Sequence, residues 1–296
     1  HNVTLYESSN ELGGQFHLAQ RIPGKDEFLG SINYWKTMLQ ENLKDRVEVK
    51  LNSVFEPEKT LGVVSNERFG KPAAVVLASG SSPRSFAVIK GAKETAEKLP
   101  NCVVSYKEVL LGQKKVGKRT AIIGSGGIGF DVSEFLVHQG VATSLDRDGF
   151  WEEWGIDGAL SARGGVAGVK PHPHAPARQV FLLQRKTSKV GDGLGKTTGW
   201  IHRTGLKNKQ VQMLNSVEYL KIDDAGLHIR IGAEGEEKLL AVDNIVICAG
   251  QDPLRELYDG LAAAGQSVHL IGGADVAAEL DAKRAINQGS RLAAQL

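Results

Sequence analysis

Few side chains in this sequence are spaced for acid–base or nucleophilic work. The chemistry its spacing supports is nucleotide binding. Gly124, Gly126 and Gly129 stand in Gly-x-Gly-x-x-Gly order, with Ser125 and Gly127 between them. Such a turn suits a pyrophosphate: the first glycine allows a tight bend, the second lets the backbone approach the phosphates, and the third lets a helix pack closely on the preceding strand. Amide groups opening that helix face the phosphates, and the positive end of the helix dipole adds to the attraction. Farther along, the apolar run Gln179–Gln184 ends on Arg185, Lys186 and Lys189. Cations at this strand end attract a 2′-phosphate through charge-assisted hydrogen bonds, which points to NADPH. Glu7, by contrast, ends the alternating run Asn2–Tyr6. A carboxylate in the corresponding place accepts hydrogen bonds from a free ribose 2′-OH, which suits FAD or NAD.

These residues need strands and helices to place them. The β-branched stretch before Gly124 and the amphipathic stretch Phe130–Gln139 predict strand, glycine turn and helix in that order. Ala73–Gly80 and Asn244–Gly250 share one form: an apolar run, a small residue and a glycine, then proline three residues later. The repeat implies two related α/β domains, each passing its backbone close to a ligand at Gly80 or Gly250. Residues 1–116 and 251–296 are expected to form one domain, with the second, 117–250, inserted in it. Apolar residues at Phe28, Ile32, Trp35, Met38 and Leu39 predict a helix over 25–42 with Trp35 and Met38 in the core. Strands are expected over 46–53 and 61–65, and a small antiparallel meander over 211–217, 218–223 and 227–232. The stretch 141–178 reads as a surface loop insertion. Within it His172 and His174 are interleaved with prolines and lack a third ligand, so no metal site is assigned. Glu152 and Glu153 are adjacent and point apart, so no catalytic carboxylate pair is assigned either. Gly193–Gly199 lacks the first glycine of a P-loop, since Val190 stands there. Val268–Leu270, Gly272, Gly273 and Asp275 precede a helix expected over 276–296, with Asp275 as its N-cap, a ligand contact or both.

Bulk properties bound the alternatives. A length of 296 residues suits two domains. A net charge of +2 gives no general attraction to nucleic acid or membrane, so anion binding must be local. The two cysteines, Cys102 and Cys248, support neither a disulfide framework nor an iron–sulfur cluster. Apolar runs are too short to span a membrane and no signal peptide is evident, so a cytoplasmic setting is expected. The chain starts on His1, at what reads as the second strand of a dinucleotide fold. The expectation is therefore that it begins inside such a fold, without its first strand and glycine turn.

The sequence resembles the C-terminal half of bacterial NADPH-dependent 2,4-dienoyl-CoA reductases, in the trimethylamine dehydrogenase-like iron–sulfur flavoprotein family. The resemblance runs along the whole chain and is most specific at Ala121–Asp131, Leu183–Lys186, Gly193–Arg203, Leu270–Asp275 and Glu279–Asp281. It implies two Rossmann-like, glutathione reductase-like domains, the NADPH domain inserted in the FAD domain. It also implies an N-terminal barrel holding FMN and substrate, and a 4Fe–4S cluster, both in a part that this chain lacks. On this resemblance Glu7, Gly13, Gly14, Gln15, Ser79, Gly80, Gly273 and Asp275 fall on FAD-contacting segments. Gly124, Gly126, Gly127 and Gly129 fall on the NADPH pyrophosphate turn, Arg185, Lys186 and Lys189 on the 2′-phosphate, and Asp131 near the nicotinamide. The implied reaction is hydride transfer from NADPH to FAD, with electrons passing through the cluster to FMN and on to a 2,4-dienoyl-CoA of unsaturated fatty-acid β-oxidation. Another NADPH:flavin reductase of the same two-domain build, or a truncated nucleotide-binding module without catalysis, remains open at this point.

Overall fold

The chain divides into two compact units, one comprising His1–Phe16, Leu29–Arg84 and Gly250–Leu296, the other His17–Phe28 and Ser85–Ala249. The structure is a computed structural model that describes residues 1–54, 68–86, 89–278 and 282–296. The strand expected over 61–65 and the Glu279–Asp281 motif lie outside the described residues.

In the first unit β1 (Val3–Tyr6) pairs in parallel with β2 (Val47–Lys50), Leu5 opposite Val49. Strand β3 (Val75–Leu77) pairs in parallel with β14 (Val268–Leu270). The two proline-bearing tails of the sequence repeat pair with each other, β4 (Ser81–Pro83) antiparallel to β13 (Gln251–Pro253). Helix α1 (Phe16–Ala19) is a single turn, whose Leu18 packs in the core of the second unit, and in the first unit α2 (Phe28–Thr37) runs on into a π-turn at Met38–Asn42. Trp35 is not core: it is 52% exposed, against 2% for Ile32. Both line an open apolar hollow with Leu12 and Leu39, so the helical spacing holds while the hollow leaves the tryptophan uncovered among the described residues.

The second unit is built on a parallel sheet whose strands are covered on both faces. Its order is β5 (Val103–Ser105), β12 (Asn244–Ile247), β6 (Arg119–Ile123), β7 (Gln179–Leu183) and β8 (Gln212–Leu214). Such strands read as continuous apolar runs because neither face meets water. Alternate residues serve different cores. Val104, Ile122, Val180, Leu182 and Val246 pack with Tyr106, Val109 and Leu110 of α4 (Tyr106–Leu110) and with Phe130, Val132 and Leu136 of α5 (Gly127–Val137). Val103, Ala121, Ile123, Phe181, Leu183, Ile245 and Ile247 pack with Val217, Ile222, Leu227, Ile229 and Leu240 of an antiparallel meander. That meander is β9 (Val217–Asp223), β10 (Gly226–Ile231) and β11 (Glu237–Leu240), flanked by α3 (Ala92–Lys98).

Several sequence expectations change here. The contact-defined boundary falls at Arg84/Ser85, not at 116/117, because β5 adds to the sheet edge beside β12 and α4 packs on α5. Residues 212–214 form the parallel edge strand β8, not the first strand of the meander. The insertion 141–178 is not all loop. It holds α6 (Arg147–Trp154), where Asp146 Oδ1 accepts the Asp148 amide at 3.2 Å and Gly155 ends the helix at φ +69°. Among the described residues no helix is long and apolar enough to cross a membrane.

Asn244, 2% exposed at the start of β12, ties the segment leading into β6 to the sheet. Its Oδ1 accepts the Gly117 amide at 2.7 Å, and its Nδ2 donates to the carbonyls of Asn101 at 2.5 Å and Lys115 at 3.3 Å. Asn244→Ala removes three hydrogen bonds made by a buried side chain, each worth about 0.5–1.5 kcal/mol, so urea unfolding should show a loss of about 1–3 kcal/mol. A midpoint unchanged from the parent chain would contradict this role.

Candidate nucleotide-binding sites

The glycine turn opens directly from the end of β6. Gly124 has φ +108°, and a Cβ there would lie 2.5 Å from the Cys248 carbonyl oxygen. At Gly129 a Cβ would fall 1.9 Å from the Gly124 carbonyl oxygen, so only glycine lets the first turn of α5 seat against the loop. Gly126 and Gly127 differ, because a Cβ at either meets nothing within 4 Å. That open space sits at the N-terminus of α5, whose first amides have no acceptor within the helix. Close packing beneath and free room above fit a pyrophosphate.

Adjacent strands carry the cationic loop to this end of the sheet. Ile123 is in register with Leu183, and the Gly124 amide donates to the Leu183 carbonyl at 3.0 Å. Ser125 reaches across to the same strand end, its hydroxyl donating to Gln184 Oε1 at 2.5 Å. Arg185, Lys186 and Lys189 follow at once, all exposed and without an ion pair among the described residues. Arg185 lies close enough to the Tyr219 phenol to oppose the rise in its pKa, which burial drives upward.

Asp131, one turn into α5, is paired with Lys25 Nζ at 2.6 Å. Burial raises the Asp131 pKa above the ordinary carboxylate range while Lys25 pulls it down. Lys25 had no signal in the sequence: it precedes Asp131 by 106 positions and follows an ordinary Pro-Gly turn. Glu134, one turn further along α5, accepts from His202 Nδ1 at 2.7 Å, and His202 sits on α7 (Gly199–Asn208). This hydrogen bond raises the His202 pKa against the opposing effect of burial.

In the first unit Glu7 follows the end of β1, where Oε1 accepts the Ser9 amide at 2.8 Å and the Ser8 hydroxyl at 3.3 Å. Gly13 and Gly14 take positive φ, +140° and +48°, in the turn that leads to exposed Gln15. Gly80 and Gly273 are brought together: a Cβ on Gly273 would stand 3.0 Å from the Gly80 carbonyl carbon. Ser79 donates to the Leu254 carbonyl at 2.5 Å, and Gly250 accepts the Arg84 amide at 3.2 Å. Gly250 therefore belongs to this unit rather than to the inserted one. Asp275 does not cap a helix, since Val276–Ala278 that follow it are not helical; the last helix is α9 (Ala282–Ala293), after α8 (Glu256–Ala263). Its Oδ2 accepts from Gln288 at 2.7 Å, and Gln288 Oε1 in turn accepts the Gly272 amide at 2.8 Å. Gln288 orders this turn, and its place on an amphipathic helix hid that in the sequence.

The raised His202 pKa has a definite sign. A histidine whose folded pKa exceeds its unfolded value of about 6.5 stabilises fully below that value, and the contribution is lost as pH rises through the folded pKa. Glu134→Gln should therefore lower the His202 pKa in an NMR titration and flatten the stability profile above about pH 6.5. An unmoved His202 titration would remove Glu134 as the cause.

Residues 1–283 match the family model described as pyridine nucleotide-disulphide oxidoreductase. A metal reductase of Desulforamulus reducens is 26% identical over 277 residues, covering 93% of this chain and 37% of the relative. An NADH oxidase of Thermoanaerobacter brockii is 26% identical over 278 residues, covering 93% of this chain and 34% of the relative. A 2-naphthoyl-CoA reductase structure superposes with a TM-score of 0.73 at 19% identity, covering all of this chain and 36% of that one. The chain thus spans about a third of the length of these relatives. Its α/β architecture and the match over nearly its whole length place this chain in the pyridine nucleotide-disulphide oxidoreductase family.

Proposed function

We propose that this chain is the NADPH- and FAD-binding module of a larger flavoprotein, in which a hydride passes from NADPH to FAD. In the whole protein the electrons reduce a 2,4-dienoyl-CoA at a site outside this chain, as the resemblance of its motifs implies. The observation that supports NADPH is the open turn at Gly126 and Gly127 lying one strand from Arg185 and Lys186. One relative is named for NADH, and it is these two cations that favour the phosphorylated nucleotide here.

When bound, the two cofactors supply the redox chemistry: NADPH gives up a hydride, and FAD takes it up with a solvent proton. The residues of this chain bind and orient. Amides at the start of α5 hold the pyrophosphate, and Arg185, Lys186 and Lys189 neutralise the 2′-phosphate. Asp131, four residues and about 6 Å along the helix from Gly127, would stand on the nicotinamide side, as the resemblance implies, with its charge balanced by Lys25. In the first unit Glu7 would accept from a ribose hydroxyl, and Gly14 and Gly80, where a Cβ would meet nothing within 4 Å, leave backbone open to FAD; Gly13, Gln15, Ser79, Gly273 and Asp275 are the other FAD-contacting positions the resemblance implies.

The test is an absorbance spectrum of the purified protein or of the chain reconstituted with FAD. A flavin band bleached faster by NADPH than by NADH is the expected result. A colourless protein that takes up no FAD yet binds nucleotide would leave only a non-catalytic module. Arg185→Ala should weaken NADPH binding by about 1–3 kcal/mol and spare NADH, the range for hydrogen bonds to charged groups. Equal losses for both nucleotides would remove the assignment of this strand end.

A further inference from the structure

Gln184 joins the two halves of the nucleotide site described above. It stands half-buried between the last residue of β7 and Arg185. Its Oε1 accepts from Ser125 in the glycine turn at 2.5 Å. Its Nε2 donates to two carbonyls of the cationic loop, Ser188 at 2.8 Å and Lys186 at 3.1 Å. The amide orientation is forced, because carbonyls can only accept and the nitrogen must face them.

The rest of the loop is held in the same way from its other side. Asn215 Nδ2 donates to the Thr187 carbonyl at 2.7 Å and to that of Ser188 at 3.3 Å. The Ser216 amide, at a residue with φ +56°, donates to the Lys186 carbonyl at 3.0 Å. The carbonyls of Lys186, Thr187 and Ser188 are thus all engaged by donors from the protein. A loop that is to hold an anion must turn these negative dipole ends away from it, leaving cations and amides outward. The exposed side chains of Arg185, Lys186 and Lys189 match that division.

We infer that Gln184 is a positioning residue that sets the preference for NADPH over NADH, by holding the Lys186–Ser188 backbone in register with the Ser125 turn. This rests on the reading of Arg185 and Lys186 as the 2′-phosphate site. One side chain then transmits the position of the pyrophosphate turn to the loop that reads the ribose phosphate. Gln184 touches neither phosphate itself; it acts through the loop.

Binding of NADPH, NADH and 2′-phospho-AMP to the full chain, followed by titration calorimetry, tests this with Gln184→Leu, Ser125→Ala and Arg185→Ala. Gln184→Leu removes both loop bonds and should weaken NADPH and 2′-phospho-AMP about tenfold, the worth of two ordinary hydrogen bonds, while NADH changes less than about threefold. Ser125→Ala cuts only the link to the turn and should lower the NADPH/NADH ratio by less. Since Gln184 acts through the cations, the double variant Gln184→Leu/Arg185→Ala should discriminate no worse than Arg185→Ala alone. Gln184→Glu serves if the leucine variant does not fold: it keeps an acceptor for Ser125 but sets oxygen against the two carbonyls, and it should lose the same discrimination. If Arg185→Ala leaves discrimination intact, the 2′-phosphate reading itself fails. If Arg185→Ala abolishes discrimination while Gln184→Leu and Gln184→Glu keep it, only the role of Gln184 is overturned. Equal weakening of NADPH and NADH by the Gln184 variants also overturns it, since that is the signature of a general structural contribution.

Discussion

The parallel pairing of β6 with β7 is the constraint on which the proposed nucleotide end of the second unit depends. Five residues run in register from Arg119 opposite Gln179 to Ile123 opposite Leu183. Both strands therefore stop at one level, and their following loops, the glycine turn and the cationic segment, start side by side. A slip of β7 by one residue would send Leu182 and Leu183 each into the other's core, so it is the shape of the two packed cores, and not an apolar–polar alternation, that holds the register. The register in turn sets the two loops side by side.

Charge in this protein is managed locally. A net charge of +2 offers little general attraction for anions. Near the glycine turn the acids of α5 are paired, Asp131 with Lys25 and Glu134 with His202, so the helix that starts at the turn carries no bare carboxylate among the described residues. The cations of the 185–189 segment are left unpaired among the described residues, while the carbonyls of that loop are engaged by Gln184, Asn215 and Ser216. Burying a carbonyl's acceptor capacity is as much a part of an anion site as supplying a cation.

Much of this was legible in the sequence where local chemistry is stringent. The Gly124–Gly129 spacing predicted strand, turn and helix, and the structure has all three. The repeated strand ends at Gly80 and Gly250 signalled related elements, though not that their tails would pair as β4 and β13. Errors fell where a tertiary neighbour decides the outcome. Trp35 has core-like spacing but faces an open hollow. Residues 212–214 have the alternation of a meander strand yet join the parallel sheet, because β7 presents a free edge to them. Asp275 resembles an N-cap, but its carboxylate is taken by Gln288. The domain boundary moved to Arg84/Ser85 because short strand β5 is recruited by β12.

By itself the sequence determined which residues are able to bend tightly, cross a buried sheet or carry charge, since glycine spacing and apolar runs act over a few positions. It determined the fold class, and it marked both strand ends where nucleotides are proposed to bind. The tertiary structure alone decided which distant groups meet: Lys25 with Asp131, Glu134 with His202, Ser125 with Gln184, Gly80 with Gly273. These contacts join residues from 59 to more than a hundred positions apart, and no local pattern encodes them. They arise because parallel pairing brings strand ends together, and buried polar groups at those ends must then find partners in whatever the sheet has placed beside them.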